Sequence, residues 1–347
     1  MINNWGPYKI VAKEPPSPHY ADIPQRRIPS APQILPSEHL TPVAEFCKWR
    51  AEKSDDGSRY DGPLTVWRLG RHTLPPIILA LFLTGCKPPE QPAVTSIVGA
   101  VLIDGTGGPP ISDSVVTIEN GRIRAVGARV SLPVPAEAEK IDGAGKFVVP
   151  APIDVLRRSA GAGSVGYTVV RPGDADSVLE QARRDRTPLF ADIFSLRDAR
   201  TMVDRGVTGF LHMIRDTEAI DPAFVARLRD LRIVFVPLLA EERNAAALAL
   251  AKRNTKRLAD GGVAIAVGSG SDTYREMDLL VEAGISPADV LVAATRNGAA
   301  ALHVLDREGT VEPGKRSDLL VLSANPVEDI RNLRKVERVM RAGLWIP

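Results

Sequence analysis

Beyond residue 96 the chain alternates short apolar runs with longer amphipathic stretches, in a regular order. Residues 97–103 are apolar and are halted by 104–110, a stretch whose Gly and Pro content marks a loop. Residues 114–119 and 122–126 flank Asn120 and Gly121. Those two residue types tolerate the positive φ that both central positions of a type I′ turn require, so the pattern predicts a β-hairpin there. A further apolar run, 146–150, leads into Ala151, Pro152, Ile153 and Asp154. From that point strands are predicted over 165–170, 188–193, 207–212, 233–238 and 263–268. Helices are predicted over 174–184, 241–260, 274–283 and, started by Ser286, 287–302, with another running from Ser195 to Gly206 and another from Asp221 to about Asp230. Ser195 is followed three residues on by Asp198, as in a capping box, and Asp221 precedes Pro222, an N-cap with proline at the first helical position. Finally, Pro313 and Gly314 make a turn ahead of Asp318 and the apolar run 319–322.

The first ninety-six residues follow a different pattern. Residues 1–66 are expected to be a disordered leader, because prolines from Pro15 to Pro42 interrupt every run long enough to become a helix or a central strand. Residues 67–86 place Arg68 and Arg71 ahead of about a dozen mostly apolar residues and then small ones, the layout of a secretory signal. The run is shorter than the ~20 apolar residues a bilayer span needs. Leu83-Thr84-Gly85-Cys86 resembles the bacterial lipobox, whose cysteine becomes the lipidated first residue of the mature protein. The alternative is a buried core helix, which Pro75 and Pro76 and the polar sequel oppose. The expectation is a lipoprotein anchored at Cys86 outside the cytoplasm, with a true start near Val66.

Composition narrows the partners. Lys and Arg number 44 against 42 acidic residues, so a net charge of +2 gives no electrostatic reason to expect nucleic acid. The only two cysteines, Cys47 and Cys86, make neither a disulfide framework nor a structural zinc cluster. Gly161-Ala162-Gly163-Ser164-Val165-Gly166 spells a Gly-x-Gly-x-x-Gly motif but leads into a strand, so the helix N-terminus that would hold phosphate is absent.

Two separated stretches carry a family resemblance. The segment Gly309-Thr310-Val311-Glu312-Pro313-Gly314-Lys315-Arg316-Ser317-Asp318-Leu319, read with residues 97–150, resembles the metal-dependent amidohydrolase superfamily and its imidazolonepropionase-like, amidohydrolase-related branch. In that family such a segment returns the chain from a catalytic barrel to a small β domain begun near the N-terminus. The resemblance implies an α/β fold: a (β/α) TIM-like barrel over 149–307, and a composite β-sandwich domain from 97–148 and 308–347. Six strands are counted between Val149 and Gly268, and 155 residues run from Val149 to His303. A complete barrel has eight strands and typically about 250 residues, so this one is expected to be incomplete, lacking about two βα units between Arg158 and Val165.

The resemblance also implies where a metal site would stand, and there the sequence departs from the family. The family's first barrel strand ends Asp-x-His-x-His, whereas Leu156 and Arg158 hold the histidine places, and neither side chain can ligate a metal. Asp192 replaces the strand-five histidine and offers only oxygen. Where some members carry a bridging lysine, Tyr167-Thr168-Val169 has none, and Gly270 replaces the aspartate that binds metal and takes a proton from water. Asp272 lies two residues further on, either reaching the site or standing as a solvated loop carboxylate. His212 matches the strand-six histidine and reads equally as a ligand or as a structural hydrogen-bonder. The candidate metal residues are therefore His212 and Asp192, with zinc implied by the family but not expected to be tightly held. No catalytic or cofactor-binding residue is assigned. The expected function is a metal-dependent hydrolase of non-peptide C–N bonds, catalytically impaired, acting on a small-molecule substrate. The alternatives are a non-catalytic lipoprotein binding a ligand or partner on the same frame, and a degraded gene product.

Overall fold

A computed structural model describes residues 94–156, 167–270 and 272–346. The leader, the signal segment with Cys86, Arg158 and the Gly161–Gly166 motif lie outside the described residues. The first described part is a set of strands: β1 (Val94–Leu102), β2 (Ile111–Glu119), β3 (Arg122–Ala128), β4 (Glu139–Asp142) and β5 (Phe147–Pro150). Strands β2 and β3 pair antiparallel, with Glu119 opposite Arg122, and Asn120 (φ 50°) and Gly121 (φ 76°) both adopt the left-handed conformation the hairpin needs.

The chain then alternates. Strand β6 (Thr168–Val170) is followed by α1 (Asp176–Asp185), β7 (Leu189–Asp192), α2 (Leu196–Asp204), β8 (Gly209–Leu211), α3 (Pro222–Asp230) and β9 (Val234–Val236). After a 3-10 turn at Leu239–Glu241 come α4 (Ala245–Asp260), β10 (Ala264–Ile265), α5 (Thr273–Glu282), α6 (Pro287–Val292), a π-helical turn Ala293–Asn297 and α7 (Gly298–Ala301). The caps are those the sequence offers. Ser195 accepts from Asp198 N at 3.0 Å, Asp221 from Phe224 N at 2.8 Å, and Ser286 from Asp289 N at 3.1 Å. The segment predicted as one helix from Glu241 starts instead at Ala245, because Asn244 accepts from Ala246 N and Ala247 N and caps it there.

Strands β6 to β10 make a five-stranded parallel sheet in the order β10-β9-β8-β7-β6. The sheet is not closed. Residues 151–156 lie against its β10 end, with Val155 N donating to Val267 O at 3.0 Å, while β6 is followed in the sheet by no other described strand. Of the six strands counted from the sequence, five are β6 to β10; the first, the entry stretch whose places hold Leu156 and Arg158, runs beside the sheet as residues 151–156 among the described residues and forms no regular strand. Alternating side chains divide the two faces of the parallel sheet. Phe190, Leu211, Val234 and Val236 join Ile153, Val155 and Leu302 in one apolar cluster, whereas Leu189, Ala191, Phe210 and Phe235 join the helices in another.

The chain returns through β11 (Leu319–Leu322), β12 (Val336–Arg341) and β13 (Leu344–Ile346). Strand β11 pairs antiparallel with β5, so the two ends of the described chain share one eight-stranded sheet, β13-β12-β11-β5-β1-β2-β3 with β4 beside β1. The Gly309–Asp318 region, which carried the family resemblance, ties that sheet together. Val311 N donates to Asp104 O, Ser317 N to Gly121 O, and Ala342 N to the Asp318 carboxylate. The described residues belong to one compact unit, Pro89–Pro347.

Candidate functional site

The polar residues that sequence comparison singles out gather at the C-terminal ends of the parallel strands, the end at which barrel enzymes place their chemistry. Asp192 is the last residue of β7 and His212 directly follows β8. Strict alternation would turn His212 to the same face as Phe210. Its backbone is instead left-handed (φ 63°), the strand ends there, and the ring meets Asp192, with Nδ1 2.8 Å from Asp192 Oδ1. That hydrogen bond from His212 holds the Asp192 carboxyl below its usual range, against the opposing effect of partial burial, and the charges of His212, Arg171 and Arg215 add to it. The two metal candidates are thus neighbours, but each presents its nearest donor atom to the other.

A third member comes from the first position of the predicted 241–260 helix. Glu241 sits in the 3-10 turn after β9, and its Oε2 lies 4.0 Å from His212 Nε2. Its Oε1 accepts the Gly270 N–H at 2.9 Å. Gly270 holds the place of the family's aspartate, and a Cβ built on it would fall 2.7 Å from Glu241 Oε1. A side chain at position 270 and the Glu241 carboxylate would therefore compete for one space. Asn244 was the signal that could have revealed this, since a good N-cap at 244 puts Glu241 outside the helix.

Beneath the turn lies Glu276, on the first turn of α5 and fully buried. Its carboxylate accepts Leu239 N at 3.0 Å and Ala240 N at 2.7 Å, fastening the turn that carries Glu241. Burial pushes its pKa from the ordinary 4.5 up to about 7. The two backbone N–H groups oppose that shift, while the nearby Glu241 and Asp154 carboxylates reinforce it. Asp154 accepts Leu156 N at 3.0 Å, Ser269 N at 3.1 Å and the Thr273 hydroxyl at 2.6 Å, joining the first barrel segment to the 269–273 loop. No local motif marks Glu276, whereas Asp154 is the aspartate of the Asp-x-His-x-His stretch whose histidine places hold Leu156 and Arg158. Asp272, the second candidate oxygen donor, is the N-cap of α5 and accepts Arg275 N at 3.0 Å.

This donor set does not suit a family-type metal centre. Catalytic zinc usually takes three protein ligands and one open position. Here His212 Nδ1 is committed to Asp192, Asp154 to two backbone N–H groups and a hydroxyl, Asp272 to a helix cap, and position 270 has no side chain. Among the described residues no group of three or more His, Cys, Asp or Glu side chains is gathered to hold a metal ion. The residues present do not fit the group, and no chemical step is derived through it. A cavity of about 550 Å³ lined by Lys256, Val263, Ala264 and Arg296 lies at the opposite, N-terminal end of β10, away from these residues.

An open β/α sheet joined to a β sheet built from both ends of the described chain, with polar residues at the strand C-termini, defines an amidohydrolase-type fold. Residues 174–346 match the profile of the amidohydrolase family, and the chain is an amidohydrolase-related protein. Solved structures agree on the fold. A proposed prolidase from Bifidobacterium longum is 19% identical with a TM-score of 0.61, over 74% of this chain and 95% of that one. Molinate hydrolase is 16% identical with a TM-score of 0.59, over 73% and 94%. Phenylurea hydrolase B is 18% identical with a TM-score of 0.60, over 73% and 96%. A comparison with curated proteins found no match.

Proposed function

We propose that this chain is an amidohydrolase-related hydrolase that has lost metal-dependent C–N bond hydrolysis and is held on a membrane outside the cytoplasm through Cys86. The observation that carries the first half is the His212–Asp192 hydrogen bond. Among the described residues His212 is the histidine at the strand ends, and its Nδ1 lies 2.8 Å from Asp192 Oδ1, so the two candidate ligands are hydrogen-bonded to each other. Leu156, which the family resemblance puts at a ligand position, supplies no donor. The relatives' names, molinate hydrolase and phenylurea hydrolase, support a small-molecule ligand as the class this frame accommodates. The test of lost activity is hydrolysis of a cyclic amide by the purified chain with added zinc, and the expected rate is that of the buffer. A zinc-dependent rate that disappears in His212→Ala would overturn the proposal.

The second half rests on Leu83-Thr84-Gly85-Cys86 with its basic and apolar prelude. A single acyl chain binds a membrane marginally, and the several chains of a lipoprotein bind it stably. Expressed in a bacterium, the wild-type chain is expected in the membrane fraction and Cys86→Ser in the soluble fraction. The same distribution for both forms would contradict the anchor.

A further inference from the structure

We propose that Asp192, His212 and Glu241 form a metal-independent general-base site, which activates water against a small ester or similarly activated acyl compound. This goes beyond the loss of metal-dependent hydrolysis and does not depend on it. An ionised carboxylate can only accept hydrogen bonds, so the 2.8 Å contact takes its proton from His212 Nδ1, and in the neutral form of the ring it is Nε2 that carries the lone pair. This is the tautomer and the orientation that a general base needs, with a carboxylate behind the ring to stabilise the cation formed when Nε2 takes a proton. The ring is not sealed in. Its side chain is 25% exposed, with Asp192 at 30% and Glu241 at 35%.

Glu241 gives the site its second wall. At 4.0 Å its Oε2 is too far from Nε2 for a direct hydrogen bond, and the gap lies on the side of the ring away from Asp192. The carboxylate is held from two directions, by Gly270 N on Oε1 and by Glu276, which grips Leu239 N and Ala240 N in the same turn. An aspartate at 270 would exclude Glu241 from its present place, since even a Cβ there approaches Oε1 to 2.7 Å. The glycine at 270 therefore leaves the room in which the Glu241 carboxylate faces the imidazole.

The step balances without any added reactant. The water oxygen bonds to the acyl carbon while one of its protons passes to His212 Nε2. The tetrahedral intermediate collapses, the bond from acyl carbon to leaving oxygen breaks with its electron pair on the leaving group, and the imidazolium returns its proton to solvent. Asp192 is a positioning residue, acting through His212.

The probe is p-nitrophenyl acetate, turned over by the full chain in the presence of a chelator. The wild type is expected to exceed His212→Ala by about 100-fold or more in kcat, the usual worth of a positioned general base. Asp192→Asn and Glu241→Gln are expected to lower kcat with little change in KM, and the rate is expected to fall in heavy water. His303→Ala, which removes an exposed imidazole outside the site, is the unchanged control. Circular dichroism checks that each variant is folded. If His212→Ala is not, His212→Gln, which keeps a polar group beside Asp192, takes its place. Equal rates for wild type and the His212 variant overturn the proposal, as does activity abolished by the chelator, which would assign the chemistry to a metal.

Discussion

Gly270 and Glu241 show how much one residue's absence can reorganise. The glycine leaves its N–H and the space beside it to the Glu241 carboxylate. The contacted atom is the end of a flexible side chain, so Gly270→Ala is expected to do no more than displace it, costing about 0.5–1.5 kcal/mol, the worth of the hydrogen bond. In a Glu241→Ala background the same change should cost nothing, and urea unfolding of the four proteins in a double-mutant cycle measures the coupling. Additive effects would mean the two residues are independent. Glu276 makes a prediction in pH. Its folded pKa of about 7 lies above the ordinary 4.5, so between those values the folded protein binds the extra proton. Stability from this group is complete below about pH 4.5 and falls as pH rises through 7, by up to about 3 kcal/mol. Relative to Glu276→Gln, the wild type is expected to be less stable at pH 8 than at pH 5. A difference that does not change with pH would contradict the burial argument.

Among the elements, those that local chemistry specifies were the ones legible in the sequence. The Asn120–Gly121 hairpin, the Ser195, Asp221 and Ser286 caps and the order of strands and helices all follow from residues close together in the chain. The Glu241 turn was not legible, because what fastens it is Glu276, 35 residues beyond Glu241, and Gly270, 29 residues beyond. His212 and Asp192 were legible as positions but not as a pair, since their contact depends on a left-handed residue that no neighbouring side chain announces. The hairpin also does more than turn the chain. Gly121 O accepts from Ser317 N and Oγ, and Arg122 reaches Gly314 O, so the turn locks the late segment to the early one. A Cβ on Gly121 would lie 2.7 Å from the backbone oxygen of Ala342, which cannot swing aside, and φ there is positive. Gly121→Ala is therefore expected to lower stability by about 1–3 kcal/mol, seen as a drop in Tm. An unchanged Tm would mean that the two segments are held together elsewhere.

At the scale of the whole molecule, an open sheet and a scattered donor set belong together. Ligands in a closed barrel converge because the strands surround one axis. Here five parallel strands and the 151–156 segment surround only part of it, and the ten residues between Leu156 and Tyr167 are too few for two βα units. Putting histidines back at Leu156, Arg158 and Asp192 and aspartate at Gly270 is accordingly expected not to restore hydrolysis of cyclic amides, since the strands that shaped the pocket are still wanting. The central claim, a hydrolase frame without its metal chemistry, is tested most directly by the metal content of the purified full chain after equilibration with zinc and removal of free ion. The account predicts far less than one equivalent, unchanged in His212→Ala. One equivalent of zinc per chain, lost in that variant, would contradict it.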